Sequence, residues 1–181
     1  MINFSLHKAL LSAMIMLVLL PAVSGAVEVG ENQVKVAMVY NMLKFVDWPS
    51  DAFLGQPSQL TVCVQGKGAL AGSLELLRGR EVKGRQLVVR GVSKSDDLIP
   101  CQVLVFTDAD KRVPADFLAP VGLKSLLTVS DLPRFAVSGG VFGFYEEAGR
   151  VKFEINLGAA QRNRIKISSQ LLKLARIVKD E

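Results

Sequence analysis

Histidine is almost missing from this chain. The single copy, His7, stands in an N-terminal segment whose apolar run from Ala9 to Leu20 is closed by Pro21. Ser24-Gly25-Ala26 then places small residues at the −3 and −1 positions of a signal-peptidase site, so residues 1–26 read as an export signal cleaved after Ala26. An uncleaved signal anchor is the alternative, although the run is shorter than the roughly 20 residues a membrane-spanning helix needs. Residues 27–181 are left without an imidazole. That removes Ser-His and Cys-His nucleophile pairs and histidine metal sites from consideration.

Other scarcities narrow the reading further. No later stretch is apolar enough to span a bilayer, so the mature chain is expected to be soluble and, with a bacterial Sec-like signal, periplasmic. Repeats, low-complexity tracts and interdomain linkers are absent, which leaves one domain of about 150 residues with a single sizeable core. Neither sign of charge dominates: 22 basic residues stand against 17 acidic ones. Without nucleic-acid motifs, nucleic acid is not an expected partner. The small basic excess suits a solvated surface, an acidic partner face or an anionic membrane surface. Only two cysteines occur, Cys63 and Cys101. Export places both in an oxidising compartment; Cys63 lies in the strand-like Leu60–Gln65 and Cys101 just before the strand-like Val103–Thr107, which as adjacent strands would bring them within bridging distance. A structural bridge, a redox switch on the same pair and free thiols all stay open.

What is present reads as alternating strands and helices. Glu31–Trp48 carries apolar residues over a wide arc (Val34, Met38, Met42 and Phe45 beside Val36, Val39, Leu43 and Val46) and predicts a largely buried helix stopped by Pro49. Leu60–Gln65 is a strand, followed by Gly66 and a short helix from Ala69 to Leu77. Val82–Val92 is a second strand region broken by Gly84, and Val103–Thr107 and Leu126–Val129 are buried strands around a helix near Pro114–Ala119.

The segment Gly139–Ala175 is the most informative. Glycines start a hairpin in which Val151, Phe153, Ile155 and Leu157 alternate with polar residues. A basic connector, Gln161–Lys166, follows. Ile167, Leu171, Leu174, Ala175 and Val178 then fall on one face of a C-terminal amphipathic helix capped by Ser168. The expected fold is a layered α/β sandwich with a mixed, mostly parallel sheet, flanking helices and a late antiparallel hairpin.

Several small constellations invite chemistry. Gly139-Gly140 with Gly143 imitates a phosphate loop but leads into a strand, so a tight turn is the better reading. Gly66-Lys67-Gly68 precedes a helix and could hold an anion. Asp108, Asp110 and Asp131 follow strands and could form a carboxylate cluster, or simply start turns. Ser169 and Lys173 share a helical spacing but lack a visible oxyanion hole. None of these is an active site by its pattern alone, and no catalytic, cofactor-binding or metal-binding residue is assigned.

In order and spacing, several blocks resemble the YfiR family of bacterial periplasmic proteins over essentially the whole mature sequence. They are Val34–Asn41 with Lys44–Pro49, Gly84-Arg85, Cys101 before Val103–Phe106, Leu127–Asp131, Gly139-Gly140, Phe153–Asn156, and Ile167–Ser169 with Leu171–Ala175. The resemblance implies a homodimeric, non-enzymatic repressor that binds the sensor part of an inner-membrane diguanylate cyclase of the YfiN type. It also implies sequestration by an outer-membrane lipoprotein of the YfiB type and some influence of disulfide state. Where some members carry a second cysteine pair, this chain reads Val141-Phe142-Gly143-Phe144, leaving only Cys63 and Cys101. Family domains also occur fused to larger signalling proteins. Here the chain ends soon after Val178, so action through binding is expected. Arg164, Ile165, Ile167, Ser168, Leu171 and Leu172 are the expected partner-binding residues, some of the apolar ones belonging to the core. A periplasmic small-molecule sensor with its ligand near Asp108 and Asp131 is the alternative.

Overall fold

The computed structural model describes residues 30–93, 98–107 and 125–181. The expected signal segment (residues 1–26), the expected helix near Pro114–Ala119, and Asp108 and Asp110 lie outside the described residues. Ten strands are described. Eight of them form one sheet in the order β10-β8-β7-β6-β5-β2-β4-β3, and β1 and β9 form a separate pair.

The chain enters through α1 (Glu31–Leu43), the short β1 (Val46–Asp47) and a 3-10 turn at Ser50–Phe53. Strand β2 (Gln59–Gln65), helix α2 (Ala69–Leu74), β3 (Glu81–Val82), β4 (Arg85–Gly91), β5 (Val103–Phe106) and β6 (Leu127–Ser130) follow. The last part comprises β7 (Phe142–Glu147), β8 (Arg150–Asn156), α3 (Leu157–Arg162), β9 (Lys166–Ile167), α4 (Ser169–Leu172) and β10 (Arg176–Val178).

Strands β4, β2, β5, β6 and β7 run parallel, while β8 turns back against β7 and β3 against β4. Both reversals are made by two-residue turns with positive φ at each position. Lys83 (51°) and Gly84 (74°) make one, Ala148 (51°) and Gly149 (70°) the other. That geometry matches the right-handed strand twist. The mixed, mostly parallel sheet with a late hairpin is the expected fold.

The alternation of side chains divides the core between the two faces of the sheet. On one face Val62, Val103, Val105, Val129, Phe142 and Ile155 pack under α1 and α2. On the other, Cys63, Leu104 and Phe106 meet Leu98, Leu126, Leu132 and Phe135. A disulfide joins Cys63 on β2 to Cys101, two residues before the neighbouring β5, with Cα atoms 5.8 Å apart. Both sit inside this second cluster, 0% and 6% exposed.

Three boundaries differ from the sequence expectation. Helix α1 stops at Leu43 instead of running to Trp48. Val46–Asp47 pairs with β9, and the Phe45 carbonyl accepts from Ser168 N at 2.9 Å, so the backbone there is satisfied by a distant strand. The residue before Pro49 is also disfavoured in a helix. Leu157 opens α3 instead of ending the hairpin strand. The C-terminal helix is a single turn, α4, after which Arg176–Val178 pairs in parallel with β8. The β-branched Ile177 and Val178 suit that strand, and the otherwise open edge of β8 provided its partner.

Candidate functional surface

The connector between hairpin and terminal strand is held by backbone chemistry. Asn156, fully buried at the end of β8, caps α3 by accepting from Ala159 N at 2.9 Å. Its Nδ2 donates to the Ala136 carbonyl at 2.7 Å and to Asp180 at 2.6 Å. Asp180 also receives Arg162, at 2.6 and 3.0 Å. The Arg162 hydrogen bond, aided by Asn156, holds the Asp180 carboxyl below the ordinary aspartate range.

Helix α3 ends in a Schellman motif. Ile165 N donates to the Ala160 carbonyl and Arg164 N to the Gln161 carbonyl, each at 2.9 Å. Arg164 occupies the left-handed position (φ 58°) that usually takes glycine. This turn sends the Ile165 side chain into the core beside Ala160 and leaves the Arg164 guanidinium outside, 2.8 Å from Asp51. β9 then pairs with β1, and Ser168 caps α4 by accepting from Gln170 N at 3.3 Å.

The six expected contact residues therefore separate. Ile165 and Leu171, each 4% exposed, are core. Arg164 is exposed, and Ile167, Ser168 and Leu172 are half-buried along the short connector. Ile167 and Leu172 keep one side packed against the first core, and the Arg164 cation is shared with Asp51.

Close packing accounts for glycines in two of the other constellations, and Ser169 and Lys173 stand exposed at the start and just past the end of the single-turn α4. A Cβ on Gly68 would lie 2.2 Å from the Thr107 carbonyl oxygen, so Gly66-Lys67-Gly68 answers to close backbone packing. A Cβ on Gly140 would meet the Phe135 ring at 2.1 Å, and Gly139 has φ 100°. These glycines let the covering segment approach the sheet. Asp131 forms an ion pair with the buried Lys35 at 2.8 Å, and Glu31 holds the same ammonium at 2.7 Å. Burial pushes the Lys35 ammonium down, but its hydrogen bonds to Asp131 and Glu31 outweigh that and keep it above the ordinary lysine value. Among the described residues no group of three or more metal-ligating side chains comes together.

Sequence reasoning missed α3 and the terminal strand. Asn156 before the helix-forming run Leu157-Gly158-Ala159-Ala160 was a usable capping signal. In Arg176–Val178 the only local hint of a strand was the β-branched pair Ile177-Val178, too short a signal to outweigh the helical spacing before it.

No curated protein matches the chain. A family model described as YfiR/HmsC-like matches residues 32–176. The match runs from the start of α1 to the first residue of β10, taking in both cores, the disulfide and the connector surface, and the chain belongs to the YfiR/HmsC-like family.

Proposed function

We propose that the mature chain is a periplasmic, non-enzymatic regulator that binds and represses an inner-membrane diguanylate cyclase of the YfiN type. It thereby lowers cyclic di-GMP and restrains biofilm formation. Family membership supports a periplasmic regulator of a diguanylate cyclase. The observation that carries the contact surface is the separation of the connector residues. Ile165 and Leu171 lock the backbone into the core, while Arg164 is exposed and Ile167, Ser168 and Leu172 are half-buried with one side open. A preorganised patch of this kind loses little entropy on docking. Repression follows if the patch binds only the inactive sensor conformation, shifting the population by that differential affinity. A homodimer and release through a YfiB-type outer-membrane lipoprotein belong to the same proposal.

The test is genetic and biochemical. Deleting the gene in cells that express the cyclase is expected to raise cyclic di-GMP, and the wild-type chain to restore the low level. Leu172→Asp combined with Arg164→Gly is expected not to restore it at equal periplasmic abundance. Glycine suits the left-handed backbone at position 164, so this change removes the cation while sparing the turn. An unchanged cyclic di-GMP level on deletion would sink the function. Full repression by the double variant would sink the surface.

A further inference from the structure

Leu171 is the last buried residue of the chain, and none of residues 172–181 is buried. Leu174 is 76% exposed and Ile177 45% exposed, so β10 lies on the sheet with little apolar burial of its own. Its pairing with β8 is short, Arg176–Val178 against Glu154–Asn156, and it has no strand on its other side.

What holds this segment is charge. Arg176 sits on Glu154, and Asp180 receives Arg162 at 2.6 and 3.0 Å and Asn156 at 2.6 Å. Glu181 pairs with Arg134, and its N–H donates to the Val137 carbonyl at 3.1 Å. The anchors stand on three separate elements: β8, α3 and the covering segment before β7. The Arg162–Asp180 and Arg134–Glu181 pairs are well exposed, and such pairs are individually weak and screened by salt. Asn156 ties the side-chain anchors to the strand pairing, because it faces Val178 in the register and also holds Asp180.

We infer that residues 173–181 form a latch, held by charge, that opens as one unit while the rest of the domain stays folded and bares the edge of β8. Ordering a chain end costs conformational entropy that apolar burial ordinarily offsets. Here exposed ion pairs and a short ladder must offset it, so the segment opens far more often than the core. The hinge follows Leu171, whose side chain stays in the first core, so the connector surface keeps its place in both states. Opening also releases Arg134 and Val137 of the covering segment, which closes over the second core through Leu132 and Phe135.

The experiment follows amide hydrogen exchange of the mature chain, residue by residue, by NMR. The β10 amides that pair with β8 are expected to exchange at least roughly tenfold faster than those of the central strand β5. Raising sodium chloride from about 0.05 M to about 0.5 M should quicken β10 more than β5. The double variant Arg134→Gly, Arg162→Gln removes two anchors without altering the latch itself, and glycine suits the left-handed backbone at position 134 (φ 62°). It is expected to speed exchange throughout Arg176–Val178 by roughly fivefold. Exchange of β10 at the rate of β5 would overturn the latch by making the terminal strand part of the global folding unit. Fast exchange that ignores salt overturns charge as what holds it. A response to the double variant confined to Asp180 and Glu181 overturns the single unit and leaves ordinary fraying of a chain end.

Discussion

Arg176 on β10 sets its guanidinium on the buried carboxylate of Glu154 on β8, with Nε donating to Oε2 at 3.1 Å, and lies 3.8 Å over the Tyr145 ring. The contact joins the terminal strand to the hairpin. Gly143 beneath it leaves the space that Glu154 fills, since a Cβ there would lie 3.1 Å from Glu154 Oε1. Arg176→Ala strands a buried carboxylate and is expected to cost about 1–3 kcal/mol by urea unfolding. Arg176→Lys should recover only part of this, because an ammonium gives a single point contact and stacks less well on tyrosine.

Gly68 and Gly72 lie four residues apart and should respond oppositely to alanine. A Cβ on Gly68 collides with the Thr107 carbonyl, whereas Gly72 faces open space inside α2. Gly68→Ala is expected to destabilise by about 1–3 kcal/mol through overpacking against backbone. Gly72→Ala should stabilise by roughly 0.5–1 kcal/mol, since alanine loses less entropy in a helix. Chemical denaturation of the two variants side by side decides it.

Asn156→Ala removes the cap of α3 and the links to Ala136 and Asp180 together. A lost cap, a buried hydrogen bond and a half-buried one are expected to cost about 2–4 kcal/mol. Because the folded Asp180 carboxyl lies below its unfolded value, its contribution is fully present above about pH 4 and is lost as pH falls through the lowered value. Asp180→Asn should therefore flatten the acid limb of a stability–pH curve.

Lys35 has the opposite sign. Its folded value lies above the unfolded one, so its contribution is full below about pH 10 and declines as pH rises through the raised value. Lys35→Met leaves Asp131, whose Oδ1 is already buried without a hydrogen-bond partner, with no counter-ion among the described residues. A loss of roughly 3 kcal/mol is expected by urea unfolding at neutral pH.

The Cys63–Cys101 bridge closes a separation of 38 residues and is enclosed by the second core. The Cys63→Ala, Cys101→Ala double variant is expected to lose up to about 4 kcal/mol. Thiol reagents should label the reduced pair of the native protein only after denaturant is added, in keeping with a structural bridge. Rapid labelling under native conditions with dithiothreitol would instead favour the redox switch.

The sequence by itself determined the order of buried strands, the alternating strand–helix plan and the absence of an imidazole from residues 27–181. Each of these follows from residue type or short-range period; that Cys63 and Cys101 are joined came from the structure. Leu60–Gln65 and Val103–Thr107 are apolar enough on both faces that burial in a parallel sheet is their only economical use. The tertiary structure decided the rest. Phe45–Asp47 left the helix because β9 satisfies its backbone, and Arg176–Val178 became a strand because β8 offered an open edge. Hydrogen-bond partners more than a hundred residues away in sequence, as at Val46 and Ile167, leave no local periodicity to read. The same holds for the candidate surface. Ile165, Ile167, Leu171 and Leu172 are equally apolar on paper, and only the left-handed turn at Arg164 and the β1–β9 pairing sort them into core and surface.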